Sequence, residues 1–282
     1  MQRLFISSLM TVTFSLWHMQ VMAKPLFSEH ASVFEGGLTE VSLGIELFRW
    51  QEFNSNNTRL LTEQGPRARI RLSHNNEARL SSGLIYRVDG SFYGGNVDYD
   101  GQSQPGGRFS AANVNYVGLT GELSIGYRLT NLSRGPSLDL LVGTGIDSWT
   151  RDIESGVDSQ GNSVKGLVED YKIVFTRFSL GVENRDEYWK TLWRVGVKYP
   201  VFTKETLDIP PVKLEPGKEP SLFFSYRFQL MNWQGLDKGT FFSFTYDSFR
   251  FSKSPAVSTG AVLVHQPKSS MDMLSLSIGR VF

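Results

Sequence analysis

The sequence has no cysteine, which excludes a disulfide scaffold and a lipoprotein acylated on a terminal thiol. It has no basic excess either: 29 Lys and Arg against 28 Asp and Glu leave a net charge of +1. That is too little to neutralise a phosphate backbone, so nucleic acid drops out as a partner. After residue 23 there is no apolar run of the roughly 18 residues a membrane helix needs, and no amphipathic stretch with a helical period. Metal-ligand spacings, a nucleophile elbow and a phosphate loop are all missing, so neither a metal nor a cofactor is expected. What remains is an ordinary composition, 40% hydrophobic and 20% charged, whose information lies in its order.

Residues 1–23 differ from everything after them. Arg3 precedes an uncharged, apolar-rich run from Leu4 to Trp17, and Val21-Met22-Ala23 puts small residues at the −3 and −1 positions of a cleavage site before Lys24. This predicts a secretory signal peptide cut after Ala23, too short to span a bilayer as a helix. Residues 24–40 read as an aperiodic, periplasmic lead-in, and residues 41–282 as one further unit.

In that unit, ten strand-like runs follow one another: Val41–Trp50, Arg67–Ser73, Leu80–Phe92, Tyr116–Leu129, Ser137–Thr150, Tyr171–Glu183, Tyr188–Val201, Leu222–Leu230, Phe241–Phe251 and Met273–Phe282. Each alternates apolar and polar residues with the period of a half-buried strand. In the eighth, Leu222, Phe224, Tyr226, Phe228 and Leu230 oppose Ser225, Arg227 and Gln229.

The links alternate too. Short ones ("HNNEAR", "TNLSRGP", "NRDE", "MNWQGLDKGT") join runs two to three, four to five, six to seven and eight to nine. Long ones cover Gln51–Pro66, Tyr93–Asn115, Arg151–Asp170, Phe202–Ser221 and Ser252–Asp272. In an up-and-down meander all the short links then lie at one end and all the long ones at the other, the layout of a transmembrane barrel with short periplasmic turns and long extracellular loops. None of the 11 prolines interrupts a strand interior, and closure would leave no unpaired edge in lipid. The fold class expected is therefore all-β: a transmembrane antiparallel up-and-down β-barrel of about ten strands, with eight and twelve left open. Two features depart from a plain meander. The apolar phase slips in run six, from Tyr171, Ile173 and Phe175 to Phe178, Leu180 and Val182, which predicts a bulge near Thr176. The segment Ala261–Val264 ("AVLV") is an eleventh strand or, by preference, an extension of a hairpin above the membrane.

The final run, "LSLSIGRVF", resembles the closing strand of bacterial outer-membrane β-barrel proteins, which end on an aromatic with apolar residues alternating back from it. Phe282, Ile278, Leu276 and Leu274 match, whereas Arg280 stands where the pattern prefers an apolar residue. The resemblance covers the architecture and the last ten residues, and no subfamily. It implies a multi-pass protein of a Gram-negative outer membrane, with both mature termini periplasmic. It also implies contact with membrane lipid and lipopolysaccharide, and recognition of the last strand by the barrel assembly machinery.

If one face meets lipid, the other lines the interior, with Arg69, Arg71, Arg87, Arg128, Arg177, Lys190, Arg194, Lys198 and Arg227 against Glu46, Asp89, Glu122, Asp139, Asp147, Glu183 and Asp247. So balanced a set in a lumen of this size favours internal pairing. The reading is a structural or surface-interaction barrel with a charge-filled narrow interior and no enzymatic activity. The alternative is a narrow, mildly anion-preferring, porin-like channel. A third is a rim protease or acyl hydrolase using His265, with Asp147 or Asp152 as partner, since omptin-type proteases resemble a ten-stranded barrel with acidic and His-Asp pairs at the rim. Their motif is absent as a sequence pattern. Tyr188, Trp189, Trp193, Tyr127, Phe241 and Phe282 at the short-link end, and Phe48, Trp50, Phe92, Tyr116, Tyr199 and Phe224 at the other, are expected to form interfacial girdles. The polar long links do not identify an extracellular ligand.

Overall fold

The computed structural model describes residues 37–77, 82–102, 108–110, 113–130, 136–158, 161–208, 211–231, 239–260 and 262–282. The expected signal peptide and the lead-in up to residue 36 lie outside the described residues. Ten long strands carry the fold: β1 (Leu38–Phe53), β2 (Arg59–Asn75), β3 (Gly83–Gln102), β4 (Val114–Leu129), β5 (Ser137–Ile153), β6 (Leu167–Arg185), β7 (Trp189–Asp208), β8 (Ser221–Leu230), β9 (Thr240–Phe251) and β10 (Lys268–Val281). Each pairs antiparallel with its successor. β10 then returns to β1, in a register running from Glu40 opposite Val281 to Phe53 opposite Lys268. The sheet closes on itself, and the strand count is ten.

Alternation sends one row of each strand outward. Ile45 and Leu47 on β1, Ile70 and Leu72 on β2, Leu119 and Leu123 on β4, and Leu276 and Ile278 on β10 are all exposed. So continuous an apolar belt is compatible with a hydrocarbon surround and not with water.

The strands outrun the belt. β1 to β7 are 16 to 20 residues long, whereas crossing a bilayer takes about 9–11. The surplus stands at the long-link end, where the outward rows turn polar: Arg49 and Gln51 on β1, Lys172 and Asp170 on β6, Lys204 and Thr206 on β7. The first long link is accordingly not Gln51–Pro66 but Asn54–Thr58, closed by Asn54 donating to the Thr58 carbonyl at 2.9 Å. Leu263–Val264 pairs only with Val257–Ser258 in a separate two-stranded ladder, so this segment adds no strand to the barrel. Gly239, with φ 95°, closes the link between β8 and β9, a conformation in which a Cβ would be strained.

The bulge expected near Thr176 is not there. β6 alternates without interruption, and the irregularity lies on its neighbour β7 between Pro200 and Phe202. Val201 and Phe202 both face outward, and the inward parity switches to Thr203, Glu205 and Leu207. The apolar residues of β6 change face for a different reason. Phe178, Leu180 and Val182 point outward at membrane level, while Tyr171, Ile173 and Phe175 point inward beyond it, because the barrel interior itself becomes apolar there.

Candidate functional site

The interior has two levels. In the half nearer the short links, charged side chains from facing strands meet. Arg128 on β4 is fully buried; it grips both oxygens of Asp139 at 2.7 Å, reaches Glu183 at 3.0 Å and donates to the Glu77 carbonyl. Lys190 meets the same Glu183 at 2.9 Å. Arg87 touches Asp89 at 2.8 Å, Glu77 at 3.2 Å and Glu40 at 3.3 Å, and Arg71 shares Asp89 at 2.8 Å. Two contacts reach across the barrel: Arg194 of β7 to Glu77 at 2.9 Å and Arg227 of β8 to Glu40 at 2.6 Å. Higher up, Glu46 receives Arg67 and Arg69, Arg177 bridges Glu122 at 3.0 Å and Asp247 at 2.9 Å, and Lys198 joins Asp247. Removing one member of such a network strands a buried charge, a loss far larger than the net contribution of the pair.

Above this the lining turns aromatic. Phe48, Trp50, Tyr93, Tyr116, Trp149, Tyr171, Phe175, Phe249 and Phe251 form one buried cluster inside the barrel. Trp50 on β1 meets Trp149 on β5 at 6.5 Å between ring centroids and Tyr171 on β6 at 5.5 Å, and Phe48 meets Tyr116 on β4 at 4.6 Å. In a ring of ten strands β6 lies opposite β1, so these contacts span the interior. Phe48, Trp50 and Tyr116 are therefore not girdle anchors as the sequence suggested, and nor is Phe241, which is buried beneath the Arg227 guanidinium at 3.9 Å. Tyr127, Tyr188, Trp189, Trp193, Phe92, Tyr199 and Phe282 are exposed, and Phe224 is half-buried.

The seam between the levels rests on one glycine. Tyr93 of β3 reaches over β4 to donate to Asp147 of β5 at 2.6 Å, and a Cβ on Gly118 would sit 2.5 Å from the tyrosine ring. Gly118→Val is expected to displace Tyr93, leave Asp147 without its donor and cost about 2–3 kcal/mol. The check is the temperature of the heat-induced mobility shift on a detergent gel, with Gly118→Ala intermediate.

Beyond the apolar belt, Arg151 of β5 is surrounded by carboxylates. Its Nε lies 3.0 Å from both oxygens of Glu63, and Nη1 contacts Glu169 and, at 3.5 Å, Glu52. Glu205 of β7 faces the same group, is 0% exposed, and neither of its oxygens has a hydrogen-bond partner. The nearby Tyr171 hydroxyl donates instead to Glu169, at 3.1 Å. Burial, reinforced by the charges of Glu169 and Glu52, pushes the Glu205 carboxyl up to about 9, and burial also raises Glu169.

These residues escaped the sequence reading because Glu52, Glu63, Arg151, Glu169 and Glu205 lie in segments taken for long links, and Glu40 and Glu77 in the lead-in and a short turn. A signal was present. Trp50 and Glu52, or Tyr171 and Glu169, continue one parity beyond the apolar belt.

No known protein family matches the chain, and no curated protein does. Among solved structures, the chain is similar to the outer membrane protease OmpT from Escherichia coli, with a TM-score of 0.54 and 11% identity over 88% of this chain and 97% of that one. The translocator domain of the autotransporter NalP from Neisseria meningitidis aligns over 96% of this chain and 97% of that one, at 10% identity and a TM-score of 0.42. The fold is that of an outer-membrane β-barrel.

Within this barrel His265 stands largely exposed between β9 and β10, and partial loss of hydration together with the Lys253 charge lowers its imidazole from the ordinary histidine value. His74 lies 3.2 Å from the Thr39 hydroxyl and 3.3 Å from that of Tyr86. No group of three or more His, Asp or Glu side chains is arranged to hold a metal among the described residues.

Proposed function

We propose that this protein is an integral barrel of a bacterial outer membrane that does not conduct, and whose role is structural or surface-interacting, exercised by the strands and links that stand beyond the apolar belt. The short links then face the periplasm, and the outward row Leu274, Leu276, Ile278 and Phe282 meets lipid and serves the assembly machinery. The observation that carries this reading is the contact of Trp50 with Tyr171, rings on opposite walls meeting at 5.5 Å. A polar pore has no continuous path through such a layer. A role without reaction chemistry is supported by the surroundings of His265, whose charged neighbour is the cation Lys253, and by Asp147, which is occupied by Tyr93.

Purified protein incorporated into planar bilayers is expected to leave the baseline current unchanged at both polarities. Steady steps scaling with the amount of protein would replace this reading with the narrow channel.

A further inference from the structure

We infer that the short-link half of the interior holds a binding site for a small oxyanion. A cavity of about 60 Å³ lies between β1, β2, β3, β7, β8 and β9, lined by Arg71, Arg87, Arg194 and Arg227 with Ser73 and Ser225, and by one carboxylate, Glu40, which Arg87 and Arg227 neutralise. Three buried polar atoms on these lining residues have no hydrogen-bond partner: Ser73 Oγ, Arg194 Nε and Arg227 Nε. Buried donors are almost always satisfied, and these three belong to residues that line one cavity, the space through which a ligand with acceptor oxygens can approach them.

The charge points the same way. The four arginines share Glu40, Glu77 and Asp89, leaving four cations to three anions. One unmatched positive charge at this depth favours a counter-anion over water alone. The neighbouring cavity deeper in the barrel is lined by four carboxylates, Glu46, Asp89, Glu122 and Asp247, where this one is lined by a single carboxylate, Glu40. Entry is from the short-link end, where a further cavity shares Glu40, Leu192 and Arg227 with this one. The aromatic layer closes the other direction, so the site is a dead end rather than a stage in conduction. The volume admits phosphate, sulfate or a short carboxylate and excludes a nucleotide or a lipid headgroup with its glycerol.

The test is a calorimetric titration of the purified barrel, in a nonionic detergent and low salt, with inorganic phosphate. Saturable binding of one phosphate per chain is expected, competed by sulfate. Arg71→Gln removes the surplus charge while Asp89 keeps Arg87, and Ser73→Leu fills the cavity without touching an ion pair. Each is expected to weaken binding at least tenfold while the heat-modifiable gel shift is retained. Val262→Ser, on the distant hairpin, is expected to leave it within twofold. Absence of saturable binding in the wild type would overturn the inference, as would unchanged affinity in whichever of the two cavity variants keeps the gel shift. Should both lose the shift, the wild-type titration alone decides.

Discussion

Replacing Arg151 by methionine is expected to cost about 3–5 kcal/mol of stability at neutral pH, the range for removing one partner from a buried ion pair. Arg151 is 2% exposed and is the cation shared by Glu63, Glu169 and Glu52. Without it these carboxylates and Glu205 face one another in an apolar surround, and they escape only by taking up protons. The loss should therefore be pH-dependent. Carboxyls whose folded-state values rise above their unfolded ones stabilise the fold at low pH and lose that contribution as pH climbs. The Arg151→Met barrel is expected to lose its compact gel form at a much lower temperature than wild type at pH 8, and to recover most of the difference near pH 5. Arg151→Lys, which keeps a charge but not the fork geometry, should fall between them. A methionine variant as heat-resistant as wild type at pH 8 would mean the cluster is hydrated.

Glu205→Gln has the opposite effect. The carboxyl of Glu205 titrates at about 9 in the folded protein against an ordinary 4.5, because it is buried and faces Glu169 and Glu52. Its folded value is raised, so the folded state binds the extra proton. The resulting stability is fully present below about pH 4.5 and is lost as pH rises towards 9. Glutamine keeps the shape of the protonated acid and cannot ionise. The variant should nearly match wild type at pH 5 and exceed it near pH 9 by on the order of 6 kcal/mol, since 4.5 and about 9 lie 4.5 tenfold steps apart in proton affinity and each step corresponds to about 1.4 kcal/mol. The check is the pH dependence of the thermal gel shift from about pH 5 to 9. Parallel curves for the two proteins would show that Glu205 is ionised throughout.

The barrel was legible in the sequence because lipid enforces alternation. Outward positions at membrane level are mostly apolar, so the runs of β4 and β8 marked their strands directly. The prolines did not: Pro66 and Pro200 lie inside β2 and β7, Pro66 where the ladder to β3 lapses between Gln64 and Ala68 and Pro200 at the β7 irregularity, the interruptions that a missing donor produces. Strand ends were less legible. Above the belt the outward row is polar and the inward row is aromatic with the Arg151 carboxylate cluster among it, so the same parity reads as a phase slip at Tyr171–Phe175 and as a loop at Gln51–Pro66, although the strands continue to Phe53 and from Arg59. The aromatic layer was misread for that reason: Phe48, Trp50 and Tyr116 near a strand end look like interfacial anchors, although Phe48 and Trp50 share the inward parity of Glu46, and Tyr116 that of Glu122 and Arg128. The pairing of individual charges was not legible at all. Arg194 with Glu77 and Arg227 with Glu40 depend on which strands face each other across the closed sheet, and alternation along a single strand carries no such information.

A closed barrel filled with aromatics requires Trp50 and Trp149 to point inward and Trp193 outward, and fluorescence quenching in proteoliposomes reads those directions. In variants retaining a single tryptophan, Trp193 is expected to be quenched by bromines carried on the lipid acyl chains. Trp50 and Trp149, at 1% and 3% exposure inside the barrel, should be protected from those lipids and from aqueous acrylamide alike. Strong quenching of Trp50 or Trp149 by the brominated lipid would place them on the outer wall and contradict the closed, aromatic-filled interior.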